Sequence, residues 1–114
     1  MRFMSVWSGI EKNTPPSAEE MEAMGHLIEA EMKAGRLLST GGCLPSALGA
    51  RVRRSGAKVS VTDGPFSEAK EVVGGCAILE VPSKAEAIEA VRRFLDVVGD
   101  GVCEVRQMYE GGDS

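Results

Sequence analysis

Hydrophobic and polar positions repeat with two different periods along this chain, and each change of period marks an element. Residues 2 to 8 set Phe3, Ser5 and Trp7 on one side and Met4 and Val6 on the other. Apolar groups on both sides predict a central strand rather than a half-exposed edge. EKNTPPS ends that pattern with two prolines. Ser17 followed by Glu20 reads as a capping box, in which the hydroxyl meets an early helix N–H and the carboxylate reaches back. Met21, Met24, Leu27, Ile28 and Met32 then recur at three and four residues, forming the stripe of an amphipathic helix. Gly35 supplies a left-handed stop, so the first helix is expected over 17 to 34. Residues 37 to 44 predict a second strand, whose Gly41 and Gly42 suit a bulge or a close backbone approach.

The period is two again further on. Residues 51 to 54 and 58 to 62 predict a hairpin around Ser55 and Gly56. Val52, Val59 and Val61 fall on one side of it, and Arg51, Arg53, Lys58 and Ser60 on the other. One face of that hairpin should be wet. VVGGCAILEV at 72 to 81 is nearly all apolar, as a strand covered on both faces requires. Ser83 with Glu86 reads as a second capping box. Ile88, Val91, Leu95 and Val98, with Phe94 alongside, predict the second amphipathic helix. Residues 102 to 109 alternate, with Glu104 and Arg106 opposite Cys103, Val105 and Gln107.

The order is therefore β-α-β-hairpin-β-α-β. It predicts an α+β domain with two helices against one mixed sheet, the ferredoxin-like split βαβ pattern with an inserted β-hairpin. Helices would cover one sheet face. The other carries apolar groups and finds no internal repeat to cover it, so a homodimer across a two-fold axis is expected.

Composition then narrows the function classes. A chain of 114 residues that is 43% hydrophobic and 26% charged suits one ordinary core and leaves little for a second. The net charge of −4 argues against nucleic acid, whose binding needs a dense positive surface; the cluster Arg51, Arg53 and Arg54 is short and lacks interleaved aromatics. Cys43, Cys76 and Cys103 are too few and too scattered for a disulfide framework, and each is expected as a small buried hydrophobe. MRFMSVWSG has a single Arg and no long apolar run, which predicts neither a signal peptide nor a membrane span and leaves the cytoplasm as the expected compartment. One histidine and scattered thiols offer no metal-ligand spacing, and no P-loop, nucleophile elbow or zincin motif occurs. No metal or cofactor is expected.

The most specific segment is VTDGPFSEAKEVVGG, residues 61 to 75. Asp63, Gly64 and Pro65 make a tight turn that delivers Phe66 in one direction. With polar neighbours around it, that ring should reach the main core, a partner subunit or a pocket floor. This segment closely resembles the signature of the DGPF (YCII-related) family, carried here by Asp63, Gly64, Pro65, Phe66, Ser67, Glu68, Lys70, Glu71 and Gly75. The resemblance extends through residues 1 to 6, AGRLL at 34 to 38, GARVR at 49 to 53 and CEVRQMYE at 103 to 110. Ala69 replaces a common Thr, and Cys76 stands where an aromatic is frequent. The resemblance implies a dimeric α-β barrel, with one domain over 1 to 110 and a disordered tail over 111 to 114. It implies a function less sharply. Relatives have been linked to alternative sigma factors, which makes a non-catalytic accessory or regulatory dimer one of two readings.

The other reading is a small-molecule site. Asp63, Glu68, Lys70 and Glu71 concentrate opposite charges in one loop, which is either a solvated loop with a weak ion pair or the rim of a cleft. In the second case Asp63 is the candidate general base, and Phe66, Lys70 and Arg106 are the candidate ligand-binding residues for a small anionic molecule. Arg106 and Glu104 share one strand face, and a structural pair between them competes with that role. A His–Asp pair has been proposed for related YCII proteins, but here the helical wheel turns His26 about 160° from the apolar stripe, toward solvent.

Overall fold

A computed structural model describes residues 1–12, 14–66 and 69–110. The elements follow the predicted order: β1 (Arg2–Gly9), α1 (Ala18–Lys33), β2 (Leu37–Gly42), β3 (Ala50–Ser55), β4 (Lys58–Asp63), β5 (Val72–Glu80), α2 (Lys84–Val98) and β6 (Val102–Gln107). A single 3-10 turn, Ser46–Leu48, lies between β2 and β3. The α+β, ferredoxin-like split βαβ arrangement is present. The main sheet runs β2-β5-β1-β6, which makes β1 the central strand it was expected to be, while among the described residues β3 and β4 pair only with each other.

Every pairing in the main sheet is antiparallel, which corrects the expectation of a mixed sheet. The reason lies in the split units. The chain returns from α1 into β2 one strand too far out, and β5 later fills the gap, so parallel strands never become neighbours. The register irregularity in β2 falls between Leu37 and Ser39 rather than at the glycines. The close approach falls on the neighbouring strand instead: a Cβ on Gly75 would lie 2.9 Å from the Gly41 carbonyl oxygen, whereas one on Gly41 would meet nothing within 4 Å.

α1 begins on the capping box. The Glu20 N–H donates to Ser17 Oγ at 3.1 Å, and the Ser17 N–H donates back to Glu20 Oε1 at 3.3 Å. Gly35 follows the helix with φ +79°, a left-handed conformation in which Gly lacks the steric cost of a side chain. α2 has half of such a box, with the Glu86 N–H donating to Ser83 Oγ at 3.2 Å.

The core consists of Phe3, Leu37, Leu79, Val81, Ala87, Ala90 and Val91, with Ile28, Ala77, Leu95, Cys103 and Val105 packed against it. α2 therefore presents Ala87, Ala90 and Val91 to the sheet, and Ile88 turns to the rim at 42% exposure. The small alanines are what let the helix come close to Phe3 and Leu79. Two further expectations are corrected by exposure. The hairpin β3–β4 is wet on both faces, because it stands outside the sheet. Cys43 and Cys76 are exposed, and only Cys103 is half-buried.

On the face of the sheet away from the helices stand Met4, Val6, Cys76 and Ile78, at adjacent register positions on β1 and β5. Val73 and Val102 extend this apolar row at 56% and 54% exposure. Within one chain, β5 is thus covered on one face only.

Candidate functional site

On the helix side of the sheet, a pocket of about 410 Å³ opens between α1, α2 and strands β1, β2 and β5. The sequence pattern explains its walls. Met24, Leu27 and Ile28 are the apolar stripe of α1, and Val91, Phe94 and Val98 are that of α2. The floor is made by inward positions of the strands, among them Ser5, Trp7, Ala77 and Leu79. Side chains on this floor shrink toward one end, where Gly42, Gly74 and Gly75 leave the backbone bare.

Trp7 closes that end. Its indole lies against Gly9, Gly74 and Gly101, and a Cβ on any of the three would overlap the ring. Three glycines from three separate segments thus form the seat of one tryptophan. The Trp7 Nε1 is buried and has no hydrogen-bond partner among the described residues.

At the other side the pocket meets a buried charge. Glu31 is the only charged residue that α1 buries, with its side chain 9% exposed. Arg36 Nε donates to Glu31 Oε1 at 3.0 Å, and Arg36 Nη2 donates to Oε2 at 2.8 Å. Arg93, from α2, adds a third bond from Nη2 to Oε1 at 3.0 Å. The bonds from Arg36 hold the Glu31 carboxyl below the usual range, outweighing the opposing effect of burial, and Arg93 acts in the same direction. The pair therefore stays ionised although one member is buried. Cys103 behaves oppositely: burial pushes its thiol up, and a hydrogen bond with Ser5 offsets this only in part.

The residues singled out by sequence lie elsewhere. Asp63 ends β4 in an exposed position opposite Ala50. Phe66 is half-buried, with the Arg51 guanidinium 4.0 Å above its ring centroid. Lys70 and Glu71 are exposed, and Ser67 and Glu68 are outside the described residues, as is the tail over 111 to 114. Arg106 lies on the open sheet face and donates to Glu104 Oε2 at 3.0 Å, the structural pair that was weighed against a ligand role. Asp63, Phe66, Lys70 and Arg106 are all absent from the pocket wall. His26 points to solvent as the wheel predicted, 3.5 Å from Glu22. Among the described residues no group of three His, Cys, Asp or Glu could hold a metal ion.

What the DGPF turn does position is backbone. The Gly64 N–H donates to the Gly49 carbonyl at 2.9 Å, and a Cβ at Gly64 would collide with the Ser46 carbonyl. Ser46 is held in turn by Glu11, whose carboxylate accepts from both its N–H and its hydroxyl at 2.6 Å. Those bonds lower the Glu11 carboxyl. The signature glycine thus locks the root of the hairpin to the turn before it.

Fold and pocket together define the class: a ferredoxin-like α+β domain with an inserted hairpin and an apolar cavity between its helices and its sheet. Residues 1–110 match the model of the YCII-related domain. The chain belongs to the YCII-related family. No curated protein matches it. No helix of the described residues is long and apolar enough to cross a membrane.

Proposed function

We propose that this YCII-related protein binds a small molecule in the pocket between its helices and its sheet, and that it does so as a homodimer. The observation that carries the reading is the cavity of about 410 Å³, walled by apolar side chains around a few fixed polar groups. Small-molecule sites have this composition, with apolar surface supplying affinity and sparse polar atoms supplying orientation. An anionic ligand beside the DGPF loop is less well supported, since Asp63 and Lys70 are exposed and Arg106 is already paired. Trp7 is the single tryptophan and forms the end wall, so it reports occupancy directly. Titration with an aliphatic probe such as 1-octanol should shift Trp7 emission in a saturable way. Ala77→Leu, which narrows the floor, should weaken that response. An unchanged emission up to the solubility limit of the probe counts against the reading.

The dimer rests on the second apolar surface. Met4, Val6, Cys76 and Ile78 form a row on the open sheet face, flanked by Val73 and Val102. Burying such a patch against its own copy is the simplest closed arrangement. Sedimentation should give a dimer at micromolar concentration, and a stable monomer there refutes it. The same exposed surface supports, less directly, an accessory role in which a protein partner such as an alternative sigma factor is engaged. Loss of the dimer when that partner is added would favour it.

A further inference from the structure

We infer that the ligand of the pocket is a flat, neutral molecule carrying a hydroxyl or N–H group, and that Glu31 recognises it by accepting that hydrogen. The inference rests on the pocket being a ligand site and concerns the chemistry it selects.

Ser5 and Thr40 also line the cavity, but its one charged lining residue, Glu31, is an acceptor. Glu31 lines the pocket, while Arg36 and Arg93 are outside its wall. An ionised carboxylate offers about four acceptor positions. Three donors from the two arginines occupy it, leaving capacity for one more. Because those donors come from β2's approach and from α2, the carboxylate is fixed in place before a ligand arrives. A hydroxyl or N–H entering beside it meets a charge-assisted acceptor that needs no reordering.

Charge selects further. A carboxylate ligand has no hydrogen to donate to Glu31, and it would lose its hydration between walls that are mostly apolar, with Arg36 and Arg93 outside them. A cation gains little, because two guanidiniums already outweigh the single negative charge. A neutral donor escapes both costs. Flatness follows from the other end of the cavity. Gly42 lines the pocket with bare β2 backbone, where a Cβ would meet only the Gly74 carbonyl oxygen 3.9 Å away, so that strip of the floor carries no protruding side chain. A planar ring can lie against it, whereas a branched aliphatic group would leave gaps.

The test uses the full chain and three probes of nearly one shape: 2-naphthol, 2-methoxynaphthalene and 2-naphthoate, titrated by calorimetry. Methylation removes the donor, and the carboxylate both lacks a donor and adds a charge that must be stripped of water. We expect 2-naphthol to bind about tenfold or more tighter than 2-methoxynaphthalene, with 2-naphthoate weakest. Glu31→Gln should remove most of the preference for 2-naphthol while leaving 2-methoxynaphthalene unchanged. Equal affinity of the naphthol and its methyl ether, or tightest binding of the naphthoate, overturns the inference with the pocket reading intact. Binding of none of the three, and of no aliphatic probe, overturns the pocket reading itself. The comparison among probes on the unaltered chain decides the matter even where Glu31→Gln fails to fold.

Discussion

Replacing Glu31 by Ala should destabilise the protein by about 2–4 kcal/mol. The side chain is 9% exposed and accepts three hydrogen bonds from two arginines. Bonds to charged groups contribute about 1.5–3 kcal/mol each when a partner is left stranded, which sets an upper bound near three such terms. That bound is not reached, because Arg36 and Arg93 are both 41% exposed and can turn their guanidiniums to water. What cannot be recovered is the packing of the Glu31 stem and the tie between α1, β2 and α2. Urea denaturation at a fixed protein concentration measures the loss, with an unchanged m-value showing that only stability moved. A cost below about 0.5 kcal/mol would show that the network does not hold the helices together. Acid provides a second check. The folded-state carboxyl lies below its unfolded value of 4.5, so its contribution is present above that pH and disappears as pH falls through the lower folded value. The stability gap between wild type and Glu31→Gln should therefore close in acid. Glu11 and Glu80 are also lowered, but both variants retain them, so they cancel in the difference.

Four other substitutions test the remaining structure. Phe3 is 2% exposed, so Phe3→Ala should cost about 3–5 kcal/mol in urea denaturation, and a loss below 1 would remove it from the core. Gly74→Ala forces a methyl into the Trp7 ring, which should cost about 1–3 kcal/mol and alter Trp7 emission; wild-type emission and stability together would refute the glycine seat. Phe66→Ala should cost about 1–2 kcal/mol rather than a full core loss, because the ring is half-buried beneath Arg51. His26→Ala should change stability by less than about 0.5 kcal/mol, and a larger effect would contradict its exposed position.

The sequence revealed the framework because most of its elements carry local signals. Ser17, Glu20 and Gly35 define α1 through contacts within one turn of each end. The alternation of Cys103, Glu104, Val105 and Arg106 fixes the two faces of β6, and the pairing of Glu104 with Arg106 follows from their shared side. Where sequence reading went astray, the deciding contact was distant. Ile88 satisfies the apolar period of α2, but the close fit over Phe3 and Leu79 favours Ala87 and Ala90, whose small size gives no hydrophobic signal. The hairpin alternates like a half-buried sheet, yet nothing in its pattern says that it forms a two-stranded sheet of its own. Antiparallel order likewise follows from which strand fills the gap, and no residue encodes that alone.

The candidate site was the least legible part, and Glu31 shows why. Met24, Ile28 and Glu31 are spaced by four and three, so Glu31 continues the apolar stripe of α1 with a carboxylate. A charge on such a stripe signals a buried group, but its meaning depends on Arg93, 62 residues away, and on Arg36 beyond the helix end. Asp63, Lys70 and Glu71 stand out because they are close in sequence, and all three are exposed. Gly9, Gly74 and Gly101 carry the same lesson in reverse. Nothing in their local sequence relates them, and only the common position of the Trp7 ring reveals that they share one task. Distinctive spacing in this chain therefore marks how the backbone is built, as at Gly64 against Ser46, while the pocket is assembled from ordinary residues brought together by the sheet order.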